Sequence, residues 1–165
     1  MDFKRPSIDE YYLNIAKDVS KRSTCLRRRF GAVIVRAGTI VATGYVGAPR
    51  GSINCIDRGI CTRQALNIEP GTRYELCESV HAEMNAVINA ARTGTPVLGG
   101  VMYLYGENTS DDSMVENIAP CKMCARVIVN SGIRRVVIMN PDKEIIYLEK
   151  NYLLEISTSE SKKGY

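Results

Sequence analysis

The strongest constraint on this chain is a pair of short motifs that together offer three ligands for one metal ion. The first is His-Ala-Glu at 81–83, which contains the single histidine of the 165-residue chain. The second is Pro-Cys-Lys-Met-Cys at 120–124. One imidazole and two thiolates suit Zn²⁺, and three protein ligands leave the fourth tetrahedral position to water, as in catalytic zinc sites. The fold must therefore bring two distant segments to one point.

Each motif also lies at the predicted start of a helix. Apolar residues recur at helical spacing in 80–92, and Pro120 suits the first turn of a helix that ends before Gly132. Two thiols three positions apart lie on one side of such a turn, and the positive helix end favours thiolates. Glu83 and His81 can approach one metal only at a helix terminus. We therefore expect Glu83 to carry protons beside the metal rather than to bind it.

The remaining periodicity indicates a mixed α/β fold. Residues 7–20 open with a capping box and continue as an amphipathic helix. β-Branched runs at 32–36 and 40–46 flank a glycine turn and predict a hairpin, and short strands are expected at 101–105 and 135–139. The order helix, hairpin, helix, strand, helix, strand implies a mixed sheet with helices on its faces.

Three segments lack this periodicity. Residues 47–79 contain Gly, Pro, Asn and three cysteines and are long for a bare loop, so a metal ion is a natural candidate for ordering them. Residues 106–119 are polar and are interpreted as an exposed loop. We expect residues 1–156 to form a single domain and the Ser/Lys-rich residues 157–165 to form a mobile tail.

Composition limits the classes of function. A net charge of +4 favours an anionic ligand, but the sequence pI of about 8.7 is lower than a nucleic-acid-binding domain requires. No apolar run approaches the roughly 18 residues of a membrane span, and the N-terminus lacks a signal-peptide pattern. Six cysteines are too few for a disulfide scaffold of this length, which predicts free thiols in a cytoplasmic, reducing compartment.

The pattern His-x-Glu followed by Pro-Cys-x-x-Cys is the signature of zinc nucleobase deaminases. With these motifs the chain resembles the deoxycytidylate deaminase family, within the cytidine deaminase-like superfamily. The resemblance extends from about Ile15 to Met139 and includes Ser-Thr-Cys at 23–25, Gly-Tyr-Val-Gly-Ala-Pro-Arg-Gly at 44–51 and Asn-Cys at 54–55. The zinc motifs indicate only the superfamily, whereas the run at 44–51 points more narrowly to the nucleotide-level enzyme.

The resemblance implies a three-layer α/β/α sandwich around a five-stranded mixed sheet. It implies hydrolytic deamination of dCMP to dUMP and ammonia, usually in a homo-oligomer such as a hexamer. It also implies that His81, Cys121 and Cys124 hold zinc. Glu83 would then carry a proton from the zinc-bound water to the pyrimidine ring and later to the departing amine. Regulation by dCTP and dTTP, which occurs in several relatives, stays open.

The resemblance also suggests contacts with the substrate. The N–H of Ala82 and the carbonyl of Ala119 are expected to hold the edge of the base, and Arg27 matches a basic position that contacts the phosphate. Asn54 is a further expected contact. Val46 stands where family members commonly have asparagine, a side chain that helps to recognise the sugar or base, and this departure weakens the assignment of dCMP.

Two other features of the chain depart from the family or vary within it. The stretch between Leu104 and Pro120 is longer than usual, which predicts a rebuilt pocket rim or subunit contact. In addition, some relatives carry a second zinc. Four thiols are available here for a closed, structural second site, while buried free thiols and disulfides are the alternatives. These four residues are Cys25, Cys55, Cys61 and Cys77.

Competing interpretations stay open at this point. Cys77 could close the first site as a fourth ligand, which would make the chain a non-catalytic zinc module. The same catalytic machinery could act on a nucleoside, a free base or adenosine in tRNA. The Arg-Arg-Arg run at 27–29 favours RNA, although such a run is by default a solvated basic patch and the modest net charge argues against nucleic acid. Tyr45 and Tyr105 could stack on a base, but as strand residues they are expected in the core.

Overall fold

One five-stranded mixed sheet forms the centre of the protein. The computed structural model describes residues 4–158, and the strand order is β2-β1-β3-β4-β5. β3 and β4 are parallel, and all other neighbouring strands are antiparallel. The strands are β1 (Arg28–Arg36), β2 (Thr39–Tyr45), β3 (Val101–Asn108), β4 (Arg135–Met139) and β5 (Ile145–Glu149). The five-stranded mixed sheet that the resemblance implied is confirmed.

Helices cover both faces of this sheet. The helices are α1 (Ile8–Ser20), α2 (Cys55–Arg58), α3 (Thr62–Ala65), α4 (Ala82–Arg92), α5 (Lys122–Asn130) and α6 (Lys150–Thr158). α1 packs on β1 and β3, α4 packs on β1 and β2, and α5 contacts both α4 and α6. Within the described part of the chain, no helix combines the length and the apolar character of a membrane span.

Alternation along the strands divides the core into two layers. Ala32 and Ile34 of β1 belong to the cluster that contains residues of α4, α5 and α6. Val33 and Val35 belong to the cluster on the opposite face, together with α1. A strand that is buried on both faces shows no polar alternation, which is why β1 is a continuous apolar run in the sequence.

Two strands are longer than the sequence predicted. β1 begins at Arg28, ahead of the run 32–36 that predicted it, because Arg28 pairs with Asn108 in the extended end of β3. This pairing is a tertiary interaction that polar local sequence does not reveal. The predicted loop 106–119 therefore starts as strand. Tyr105 is a core residue, as expected, whereas Tyr45 keeps a substantial exposed surface.

The C-terminal elements β5 and α6 were not predicted from local periodicity. α6 includes Ser157 and Thr158, which the sequence assigned to the mobile tail. Both residues are helical, and Ser157 is buried, with its carbonyl accepting a hydrogen bond from Nε of Arg126 at 3.1 Å. The rest of the expected tail, residues 159–165, lies outside the described residues.

Candidate metal centre

The two sequence motifs lie at helix N-termini, although each helix begins later than predicted. His81 is the N-cap of α4 and Cys121 is the N-cap of α5, and both residues have extended backbone conformations. An N-cap residue is only half inside its helix, so its side chain projects past the helix end. Cys124 follows in the first turn of α5. Two helix ends therefore present their side chains to one point.

The three predicted ligands meet at this point. Nδ1 of His81 lies 3.4 Å from Sγ of Cys121 and 3.4 Å from Sγ of Cys124. All three ligand atoms lie within 4.8 Å of one another, and all three residues are buried. Tetrahedral ligands at the usual Zn–N and Zn–S distances lie about 3.5 Å apart. The donor set and its spacing therefore fit Zn²⁺.

The electrostatics of this cluster favour a cation. A hydrogen bond with Cys124 outweighs burial and lowers the pKa of Cys121 to about 4, while the same contact and burial raise the pKa of Cys124. Burial opposes a charge on His81, but contacts with Cys121 and Cys77 and the negative charge of Glu83 raise its pKa to about 10. The cluster thus stabilises positive charge where the ligands meet.

Glu83 lies in the first turn of α4 and is completely buried. Its side chain hydrogen-bonds the thiol of Cys124 and helps to raise the pKa of that thiol. Its carboxylate is not part of the group of atoms that lie within 4.8 Å of one another. A carboxylate held beside a metal site without binding the ion is suited to proton transfer.

A cavity opens next to His81 and contains part of the expected substrate site. Arg27, Val46 and Ala82 line this cavity together with His81. Val46 is almost completely buried and belongs to the apolar core cluster that also contains Ala82. The structure therefore places an apolar wall where the resemblance leads one to expect an amide side chain.

Two other expected contacts lie elsewhere. Asn54 is the N-cap of α2, and its Nδ2 donates to Oδ2 of Asp57 at 2.9 Å. It lines a separate cleft with Arg50 and Asn85. Ala119 is partly buried against the sheet core and is not among the residues that line the cavity. Neither Asn54 nor Ala119 lines the cavity beside His81, and their contacts with the substrate stay predictions.

Three of the four remaining cysteines line the same cavity, and the four do not form a second tight ligand group among the described residues. These three are Cys25, Cys61 and Cys77. Burial raises the pKa of Cys55, and the neighbouring charges of the other three cysteines raise it further. Among the described residues, only the cluster of His81, Cys121 and Cys124 has ligand atoms this close together. All of these cysteines are free thiols, and Cys77 contacts His81 without joining the ligand cluster.

The basic run at 27–29 is divided between two environments. Arg27 and Arg28 line the cavity. Nε of Arg29 lies 2.7 Å from Oε1 of the buried Glu107, and its guanidinium also pairs with Asp112.

Asp112 comes from the long loop after β3, and Thr109 of that loop donates to the carbonyl of Leu26 at 2.6 Å. The long loop therefore holds the segment that carries Arg27.

Sequence reasoning missed Arg63 and Tyr74, which also line the cavity. Arg63 is buried, and its Nη2 donates to the carbonyls of Glu69 at 3.2 Å and Thr72 at 2.5 Å. The guanidinium lies 4.7 Å from the ring centroid of Tyr74, which packs edge-on against His81 at 5.4 Å. No local pattern distinguishes Arg63 from a surface arginine. Its contacts connect α3 to residues 69–74 of the same segment.

Comparison with known proteins identifies relatives of this site and fold. The family model for the cytidine and deoxycytidylate deaminase zinc-binding region matches residues 6–140. The deoxycytidylate deaminase of Schizosaccharomyces pombe is 37% identical over 133 residues, which cover 81% of this chain but 37% of that protein. The deoxycytidylate deaminase of Mycobacterium phage D29 is 36% identical over 138 residues, which cover 81% of this chain and 94% of that protein. The chain thus spans little more than a third of the yeast relative.

A solved structure shares the fold. The crystal structure of dCMP deaminase from the cyanophage S-TIM5, in complex with dCMP and dUMP, superposes with a TM-score of 0.61 at 23% identity. The superposition covers 94% of this chain and 96% of that chain. This agreement confirms the three-layer α/β/α architecture.

Proposed function

The chain belongs to the cytidine and deoxycytidylate deaminase zinc-binding family, and from this premise we propose that it hydrolyses dCMP to dUMP and ammonia. The observation that carries the proposal is the meeting of His81, Cys121 and Cys124 at one buried point with Glu83 beside them. The yeast and phage relatives described above are both named deoxycytidylate deaminases, which supports a nucleotide as the substrate.

The proposed resident metal is Zn²⁺, held by His81, Cys121 and Cys124. When bound, the ion acts as a Lewis acid that lowers the pKa of water to about 7 and so supplies a nucleophile at neutral pH. The two thiolates balance the charge of the ion, and the two helix N-termini stabilise the thiolates.

Glu83 is the proposed proton carrier. Its carboxylate accepts a proton from the attacking water and delivers it to the pyrimidine ring. It then accepts the second proton of that water from the new hydroxyl group and passes it to the departing amine. A C–O bond forms and the exocyclic C–N bond breaks, so that one water is consumed and one ammonia is released. Complete burial shields these transfers from bulk water. The N–H of Ala82 at the first position of α4 has no intrahelical partner and is available to the edge of the base.

We also propose a second, structural zinc bound by the four remaining cysteines. The support for this second site is the proximity of the four thiols, because Cys25, Cys61 and Cys77 are close enough to Cys55 for their charges to raise its pKa. Metal analysis should give two zinc ions per chain. Cys55→Ser should reduce this number to one and lower the melting temperature. One zinc per chain in the fully loaded wild-type protein would contradict the second site.

Assembly, location and regulation are further parts of the proposal. A homo-oligomer, with a hexamer favoured by the resemblance, would cover several exposed apolar residues on the 47–79 segment, namely Ile53, Ile56, Ile60 and Leu66. Light scattering of the purified protein should give a mass above that of one chain. Free thiols suit a cytoplasmic location. Activation by dCTP and inhibition by dTTP should be visible in the same deamination assay.

Ammonia release from dCMP tests the main proposal. We expect the zinc-loaded protein to act on dCMP faster than on deoxycytidine, CMP or adenosine in tRNA. Val46, whose apolar side chain stands where family members commonly have asparagine, favours a different cytosine substrate as the second candidate. Faster turnover of deoxycytidine or CMP would support that second candidate. Inactivity toward all of these substrates, with zinc bound and dCTP supplied, would reject deamination.

A further inference from the structure

Three guanidinium groups face the cavity beside the metal ligands. Arg27, Arg28 and Arg63 line it together with Tyr74. The guanidinium of Arg63 lies 4.7 Å from the ring centroid of Tyr74. None of the described residues that line the cavity is an aspartate or a glutamate, so the cavity is positively charged.

Arg63 is the most deeply buried of the three arginines. It is 5% exposed, whereas Arg27 and Arg28 are partly exposed. Two backbone carbonyls accept hydrogen bonds from its Nη2, and its guanidinium packs on the ring of Tyr74. These contacts hold the guanidinium in one orientation and leave other donors, including Nε, without a role in anchoring the loop.

The charge of Arg63 is not neutralised by the protein that surrounds it. Within residues 4–158 no carboxylate forms an ion pair with it, and its buried Nε has no hydrogen-bond partner there. Glu75 hydrogen-bonds Arg73, which is the main reason why the pKa of Glu75 is lowered, and the charge of Arg63 contributes only weakly to this shift. By contrast, Arg58 of the same segment pairs with Glu78. Burial of a cation without an opposite charge is costly, and a bound anion would remove that cost.

We propose that Arg63 is a specificity-determining residue that binds the 5′-phosphate of the nucleotide substrate, with Arg27 and Arg28 beside it. Arginine is well suited to phosphate because its planar donors match the phosphate oxygens. Tyr74 contacts both the guanidinium of Arg63 and the ring of His81, so this basic group and the metal ligand border the same cavity. The inference rests on the proposed deamination of dCMP and adds the reason why the nucleotide is preferred to the nucleoside.

Kinetics with dCMP and deoxycytidine test this role, because only dCMP carries the phosphate. Arg63→Met should raise the KM for dCMP about 100-fold and change the kcat/KM for deoxycytidine less than about twofold. Arg63→Lys, which keeps the charge but not the planar donors, should recover part of the loss. Arg58→Met is the matched control, because Arg58 lies in the same segment and does not line the cavity; neither substrate should be affected.

A purely structural role for Arg63 predicts a different result. Loss of its bonds to Glu69 and Thr72 would then reduce activity toward both substrates equally or release zinc, and either result would overturn the proposal. Binding gives a second measurement that does not need turnover. By calorimetry, Arg63→Met should lose affinity for dUMP but not for deoxyuridine. Wild-type protein that fails to bind dUMP, or a variant that binds it normally, would overturn the assignment even if deamination itself is confirmed.

Discussion

Sγ of Cys121 lies 3.4 Å from Nδ1 of His81, and each residue is the N-cap of its own helix. The positive ends of two helix dipoles therefore converge on one buried point, and they would repel each other without negative charge between them. Thiolates supply that charge. The same geometry explains why Glu83, in the first turn of α4, reaches the cluster although it is only two positions from His81.

Replacing Glu83 with glutamine tests its proposed role as proton carrier. Gln is nearly the same size but cannot accept a proton at neutral pH, so we expect deamination of dCMP to fall at least about 10²–10⁴-fold. Zinc content should stay at the wild-type value because Glu83 is not in the ligand cluster. Ammonia release and metal analysis give the two values. The exposed Glu116→Gln is the control, and an active, zinc-loaded Glu83→Gln protein would exclude the proposed mechanism.

Cys121→Ser tests the metal centre itself. A serine hydroxyl is a poor zinc ligand, and metal binding contributes directly to folding free energy. We expect loss of the zinc at this site, loss of activity and a lower melting temperature. A chelator should have the same effect on the wild-type protein. Met123→Leu, in the same turn of α5, should retain zinc; equal zinc loss in both variants would show that packing in this turn, rather than ligation, is being measured.

The ligand set could be predicted because residue type and spacing carry the chemistry of the site. His81, Cys121 and Cys124 are informative wherever the chain folds, since few other roles require this combination at helix ends. Helices α1 and α4 could be predicted for a similar reason, because their caps and apolar periodicity are local properties.

The role of Arg63 could not be predicted because it depends on burial by Thr72 and Tyr74, which lie several positions away in the sequence. Nothing in its immediate neighbours indicates that Thr72 and Tyr74 will cover it. β5 was missed for a related reason. It is an edge strand in which Ile146 and Tyr147 are exposed and Leu148 is buried, so its pattern of apolar residues does not follow the burial that the sheet imposes.

Gly44→Ala should disturb the metal centre from a distance. A Cβ atom on Gly44 would lie 2.3 Å from the backbone N of Ala86 and 2.4 Å from the carbonyl O of Ala82. β2 and α4 would have to separate, which we expect to lower the free energy of unfolding by about 1–3 kcal/mol. Zinc retention and kcat should fall too, because α4 carries two residues of the site. Urea denaturation and metal analysis of this variant should be compared with Thr43→Ala; similar losses in both would contradict the role of close packing.

The capping box of α1 predicts a specific pH dependence of stability. Oε2 of Glu10 accepts a hydrogen bond from the backbone N of Ser7 at 2.7 Å, and its bonds with Ser7 lower the pKa of Glu10 below the ordinary value of 4.5. A carboxyl with a lowered folded-state pKa stabilises the protein above its unfolded-state pKa, and this contribution is lost as pH falls through the folded-state value. The difference in unfolding free energy between wild type and Glu10→Gln should therefore be constant near neutral pH and shrink below about pH 4.5.

Glu155→Gln, on the surface of α6, corrects for the general loss of one carboxylate. A corrected difference that is unchanged at pH 3 would show that ionised Glu10 does not stabilise the helix.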